Sequence, residues 1–201
     1  MGRVPMRRTL LFDLGGVLVE SIGLSALQRL LPQWSEAEIA GRWHGSQAVG
    51  RFERGQIDAA TFAREFLAEW PIAMGPGAFI DAFTGWVTGF YPGALAMLAR
   101  LRRQHTVACL SNTNAAHWAR MGRDLDAFDH RVASHLVGHM KPEAAIYEAA
   151  LQQLGVPAHD VIFFDDLAAN VAAAREAGMQ AHQVRGLAET TDVLRRLGVI
   201  D

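Results

Sequence analysis

Three clusters of polar residues, each closing an apolar run, carry the chemistry of this sequence together with one lysine. Leu10-Leu11-Phe12 ends at Asp13, with Gly15 and Gly16 just beyond. Thr106 to Leu110 ends at Ser111-Asn112-Thr113-Asn114, and Val161 to Phe164 ends at Asp165-Asp166. Lys141-Pro142 stands at the start of the helical stretch before the Asp165 strand. Short apolar runs closed by turn formers read as buried strands. In open parallel sheets ligands bind beyond the carboxyl ends of the strands, so clusters far apart in sequence should meet in one place. Three acids with one lysine suit a divalent cation plus a phosphate. Mg²⁺ takes oxygen ligands and shares its shell with waters and substrate oxygens. A carboxylate can also serve as a covalent nucleophile towards phosphorus.

The elements that must hold these groups alternate. From Pro92 onward helical and strand patterns take turns: a helix over Ala94 to Arg103, a strand over Thr106 to Leu110, a helix over Ala115 to Met121, a weak strand over Arg131 to Ser134. A helix from Pro142 to Leu154, the strand ending at Asp165, a helix to Gly178, a strand over Gln180 to Val184 and a helix to Leu197 follow. Such alternation predicts a parallel sheet with helices on both faces, a three-layer α/β/α Rossmann-like core. After a β-prone Val17-Leu18-Val19, the stretch from Leu24 to Trp86 reads as all-helical. Helices are predicted near Leu24 to Leu31, Glu36 to Trp43, Ala59 to Trp70 (opened by Asp58 or Thr61, closed by Pro71) and Ala78 to Phe90. The helical part is an insertion that splits the first strand from the rest. The expected division is a core of residues 1–20 and 88–201 and a helical cap of residues 21–87.

Composition narrows the class of protein. The 201 residues are half apolar and one-fifth charged, ordinary for one compact domain with a modest insertion. A net charge of −2 gives no bulk attraction for nucleic acid or a membrane surface, so neither is an expected partner. Cys109 is the only cysteine, which excludes an internal disulfide framework and fits a reducing compartment. Arg3, Arg7 and Arg8 precede a short apolar run, but Asp13 interrupts it before a leader could form. No stretch reaches 18 apolar residues. A cytoplasmic protein, monomer or homodimer, is expected.

Taken in order, Phe12-Asp13-Leu14-Gly15-Gly16-Val17-Leu18, Leu110-Ser111-Asn112, Lys141-Pro142 with Ile146-Tyr147, and Phe163-Phe164-Asp165-Asp166 with Asn170 and Ala173-Ala174-Arg175 resemble the four motifs of the haloacid-dehalogenase (HAD) superfamily. Tyr91-Pro92-Gly93 matches the return from cap to core, so the resemblance covers essentially the whole chain. It is to the helical-cap subfamily IA, and within it to bacterial α-D-glucose-1-phosphate phosphatases. His44, Glu53-Arg54-Gly55, the Ser-Asn-Thr-Asn run and the Phe-Phe-Asp-Asp run carry that finer similarity. The phosphatase domain of soluble epoxide hydrolases is a second relative.

The resemblance implies a Mg²⁺-dependent phosphomonoester hydrolase acting on a small phosphorylated metabolite, a sugar phosphate by similarity. Asp13 would attack phosphorus and become an aspartyl phosphate. Ser111 and the backbone N–H of Asn112 would bind a phosphoryl oxygen, and Lys141 would neutralise its charge and orient Asp13. Asp13, the Gly15 carbonyl and Asp166 would hold Mg²⁺, with Asp165 in the acidic set supporting Lys141 or a water of the ion. His44 and Arg54 of the cap are candidate substrate contacts.

One departure matters. Many phosphatases of the superfamily carry a second aspartate two residues after the nucleophile as general acid and base, and here that position is Gly15. His44 or Glu53, both ionisable and in the cap, are candidates to replace it. The other seven histidines show no metal-ligand pattern, and Cys109 reads as a buried strand residue. Rival expectations on the same fold are a 2-haloacid dehalogenase, which would need no Mg²⁺, and a non-catalytic phosphometabolite-binding protein.

Overall fold

The apolar runs extend because a strand buried on both faces needs apolar side chains at every position. The computed structural model describes residues 7–201; Arg3 and the first six residues of the expected core lie outside the described residues. Its strands are β1 (Thr9–Phe12), β2 (Val19–Ser21), β3 (Val87–Phe90), β4 (Thr106–Ser111), β5 (His130–Ala133), β6 (Val161–Asp165) and β7 (Gln180–Gln183). β5-β4-β1-β6-β7 form one parallel sheet in that order, while β2 and β3 pair antiparallel in a separate ribbon.

Alternation along the strands divides the core into two layers. Leu10, Phe12, Val107, Cys109, Ile162 and Phe164 pack on one side, against α6 (Ala94–Leu101) and α11 (Gly186–Arg196). Leu11, Ala108, Leu110 and Phe163 pack on the other, against α9 (Ala144–Leu154) and α10 (Ala168–Glu176). The molecule is thus a three-layer α/β/α fold.

The insertion between β2 and β3 is α1 (Gly23–Leu30), α2 (Glu36–Gly45), α3 (Gln47–Glu53), α4 (Ala59–Glu69) and α5 (Pro76–Thr84). Local signals set their ends. Ser35 and Glu38 form a reciprocal capping box on α2, and Asp58 caps α4 by accepting from the Thr61 N–H at 2.7 Å. Pro76 opens α5, where its missing N–H is no loss. The cap has its own aromatic core: the Phe62 ring lies 4.4 Å from Phe52, 4.8 Å from Phe83 and 5.4 Å from Phe66.

Four local expectations need correction. The predicted helix over Ala78 to Phe90 stops at Thr84, and Val87–Phe90 is instead a strand paired with β2. The strand near Val17 to Val19 lies later, at Val19–Ser21, because Leu14 to Leu18 turn back onto the Leu14 carbonyl. Pro142 does not open a helix; α9 begins at Ala144. The weak strand expected over Arg131 to Ser134 runs instead from His130 to Ala133, and Ser134 opens the short α8 (Ser134–Val137). The 20/21 and 87/88 divisions expected from the sequence fall within the β2–β3 ribbon, where the chain leaves and re-enters the core.

Phe62 is fully buried, so Phe62→Ala leaves a cavity the surrounding rings cannot fill. Chemical denaturation of that variant should show a stability loss of about 3–5 kcal/mol.

Candidate active site

Strand register alone brings the first two acids together. Phe12 sits opposite both Cys109 and Phe164, so the next step along β1 and β6 places Asp13 beside Asp165. The Asp13 N–H donates to the Phe164 carbonyl at 2.8 Å, holding that step in register. Ser111, the last residue of β4, ends on the same edge.

Lys141 arrives from a loop, and Asn112 places it. The Asn112 side-chain amide donates to the Lys141 carbonyl at 2.9 Å, and its oxygen accepts from the Lys141 N–H at 2.8 Å. So fixed, the Lys141 ammonium lies 2.9 Å from Asp13 Oδ1 and 2.6 Å from Asp165 Oδ2. Asp165 Oδ1 accepts from the Asn170 side chain and the Leu167 N–H, each at 2.9 Å. Tyr147 in turn donates to the Asn170 carbonyl at 2.9 Å. Both oxygens of Asp165 are engaged inside the protein, so its geometry is that of a group orienting Lys141. Ser134, not singled out from sequence, both donates to and accepts from the Thr113 backbone at 2.9 Å and so steadies the β4 loop.

The electrostatics are those of crowded acids out of water. Burial pushes the Asp13 carboxyl up to about 7, against the pull of Lys141 and with the repulsion of Asp165 added. Asp166 is raised too, by burial and then by Asp165. For Lys141, burial works to lower the pKa, but Asp13 and Asp165 more than reverse it and the ammonium is held above its ordinary range. Three carboxylates with one ammonium leave the cluster formally at −2. One oxygen from each of Asp13, Asp165 and Asp166 lies within 4.8 Å of the others, a set of hard ligands of the kind a small divalent cation takes. Gly16, at φ +73°, makes room for it: a Cβ there would stand 2.7 Å from Asp166 Oδ2. Cys109 is buried behind the sheet edge, its thiol pushed up to about 12 by burial, and has no nucleophilic role.

Above this cluster lies a cavity between cap and core, in two contiguous halves. The larger, about 650 Å³, is walled by Asp13, Lys141 and Asp166 from the core and by Arg54 from the cap. The smaller, about 290 Å³, opens beside Ser111 and Thr113. Gly15, Trp43, His44, Glu53, Asn112 and Leu167 wall both. His44 is exposed, and its Nδ1–H donates to the Ala40 carbonyl at 2.7 Å, leaving Nε2 as the free ring nitrogen. Arg54 pairs with Glu143 of the core and donates to the Gly50 carbonyl at 3.1 Å. Glu53 makes no side-chain hydrogen bond or ion pair among the described residues, and burial pushes its carboxyl up to about 7 despite Arg54 and Lys141. Gly55, at φ +69°, lets the cap sit down on the core, since a Cβ there would lie 2.2 Å from the His135 carbonyl oxygen.

Fold and cluster together define a hydrolase with its chemistry on the carboxyl edge of a parallel sheet. The chain belongs to the haloacid dehalogenase-like hydrolases, whose family model matches residues 7–178. It is 30% identical over 194 residues to sesquiterpene phosphatase AstK of Aspergillus oryzae, covering 93% of this chain and 94% of that protein. It is 27% identical to mouse acyl-CoA dehydrogenase family member 10 over 88% of this chain, and spans only 18% of that longer protein. Among solved structures, a HAD family enzyme of Bacteroides thetaiotaomicron in complex with magnesium and inorganic phosphate superposes with a TM-score of 0.74 at 23% identity, over 89% of this chain and 94% of that one. No helix among the described residues is long and apolar enough to cross a membrane.

Lys141→Met would leave Asp13 and Asp165 buried without their counter-charge. Urea unfolding at pH 8 should show a loss of about 3–5 kcal/mol, and adding Asp165→Asn should recover part of it.

Proposed function

We propose that this chain is a Mg²⁺-dependent phosphomonoester hydrolase that works through an aspartyl phosphate on Asp13. What supports the reading most is the buried Lys141 held between Asp13 and Asp165 beside Asp166, a cluster whose formal −2 calls for a cation. Asp13, Asp166 and the Gly15 carbonyl would hold Mg²⁺; Asp165 is committed to Lys141 and Asn170. When bound, Mg²⁺ neutralises phosphate charge and lets the anionic substrate approach the carboxylates. The phosphatase named among the relatives and the magnesium and phosphate of the Bacteroides enzyme agree with this chemistry.

The residues divide the work. Lys141 orients the free oxygen of Asp13 and draws charge from the phosphoryl group, while Ser111 and the Asn112 N–H hold one of its oxygens. An Asp13 oxygen bonds to phosphorus as the bond to the leaving alcohol oxygen breaks. That oxygen takes a proton from Glu53, which walls the cavity where its two halves join. Water then gives a proton back to Glu53 and bonds to phosphorus, the Asp13–phosphorus bond breaks, and inorganic phosphate leaves. Glu53 is favoured over His44 for this task because its carboxyl is unpartnered and partly withdrawn from water, whereas His44 is exposed. Cap closure over the cavity excludes bulk water during both steps. A 2-haloacid dehalogenase would have to bring its own substrate carboxylate to a cluster already negative, which works against that alternative.

The finer resemblance, to α-D-glucose-1-phosphate phosphatases, points to a sugar as the leaving group. The half-cavity beside Ser111 adjoins the one over Asp13 and is open to a leaving group.

Phosphate release from p-nitrophenyl phosphate should require Mg²⁺, stop in EDTA and be absent from Asp13→Asn. Metal-free halide release from a 2-haloacid would overturn the reading. With saturating Mg²⁺ holding Asp13 ionised, Glu53 must still be protonated to assist the first step, so the rate of that step should fall as pH rises through about 7. Glu53→Gln should slow turnover of an alkyl phosphate by roughly 10²–10⁴-fold and lose that pH dependence, while His44→Ala does neither. Full turnover by Glu53→Gln would remove Glu53 from the mechanism.

A further inference from the structure

The half-cavity beside Ser111 has an unusual wall for a sugar. Its surface is mostly apolar, and Leu14, Leu24, Trp43, Trp86, Met121 and Leu167 are among the residues that line it. Leu24 is 45% exposed and Leu167 47%, and they are two of the four large hydrophobic side chains the described surface leaves open. Both stand on this one cavity, Leu24 from the cap and Leu167 from the core. Exposed apolar groups gathered at one concavity mark a surface meant to be covered.

Part of the polar lining is already spent, while the Glu53 carboxyl and His44 Nε2 stand free where the two halves meet. The His117 Nε2 lies 2.8 Å from the Phe83 carbonyl, its Nδ1 lies 3.2 Å from the Asn114 amide nitrogen, and its ring stacks on Phe83 at 4.3 Å. Both polar atoms of the Asn112 side chain are bonded to the Lys141 backbone. A hydroxyl-rich group reaching past that join would lose water against the apolar wall and find His117 and Asn112 already engaged. An apolar group loses nothing of that kind and covers Leu24 and Leu167.

Resting on the phosphatase reading, we propose that the leaving group is an apolar alcohol, alkyl or aryl, rather than a sugar. The phosphoryl end lies over Asp13 and Lys141 in the polar half of the cavity, the hydrocarbon fills the half beyond Ser111, and the ester oxygen lies at the join.

Octyl phosphate and glucose 6-phosphate test this fairly, because both are esters of primary alcohols and differ little in leaving-group chemistry. Binding to the Asp13→Asn variant with Mg²⁺, followed by calorimetry and by the emission of Trp43 and Trp86, separates recognition from turnover. Octyl phosphate should bind on the order of tenfold more tightly or better, and the wild type should show a similar preference in kcat/KM. Leu24→Ser and Leu167→Ser, both at exposed positions, should narrow that preference. Equal or tighter binding of glucose 6-phosphate, or no binding of octyl phosphate, would overturn the inference and leave the phosphatase reading standing. Tight octyl phosphate binding with no hydrolysis of any ester would instead count against the phosphatase reading and support only the apolar site.

Discussion

The structure turns on one ammonium group surrounded by acids. Lys141 is 1% exposed in its side chain and bridges Asp13 and Asp165. Burying so many charges costs several kcal/mol per ion unless geometry and hydrogen bonds return it. The fold supplies those bonds from every side: Asn112 holds the lysine backbone, Asn170 and the Leu167 N–H hold Asp165, and Leu14 donates to Asp13 at 2.7 Å. Even so the cluster stays short of positive charge. Burial raises Asp13 and Asp166, the repulsion of Asp165 adds to it, and a cation with a phosphate dianion beside Lys141 is the natural way to relieve both.

The parallel sheet and the cap divide the problem between them. The sheet edge positions charge by strand register, which tolerates little movement. The cap closes over that edge through Arg54 on Glu143, the close approach of Gly55 to His135, and the Phe83 carbonyl on His117. What the cap brings to the cavity is Glu53, a carboxyl without a side-chain partner among the described residues, and an apolar wall of Leu24, Trp43 and Trp86; under the proposed mechanism proton transfer and substrate choice would reside there. A glycine in place of the second aspartate makes sense in such a division, since a cap carboxyl stands at the same cavity.

Much of this was legible in the sequence, and what was not has physical reasons. The strand ends at Asp13, Ser111 and Asp165 stood out because apolar runs closed by polar turn formers are local signals, and parallel register then had to bring them together. The local pattern over Val87–Phe90 reads as helix, because its strand state depends on pairing with Val19–Ser21 and no short-range pattern reports a partner so distant. The same holds for side chains. That Asn112 clamps the Lys141 backbone, that Lys141 takes one oxygen of Asp165 and that Arg54 is paired with Glu143 are contacts between residues far apart in sequence. Glu53 stood out as ionisable, but its lack of a partner beside Asp13 is visible only in three dimensions.

The central claim is that Asp13 bonds to phosphorus. The most direct measurement is an acid quench of the enzyme turning over a phosphomonoester with Mg²⁺, followed by peptide mapping by mass spectrometry. The account predicts a phosphoryl group on Asp13, absent when the same experiment is run with Asp13→Asn. A phosphoryl group on another side chain, or phosphate release that survives Asp13→Asn, would contradict it.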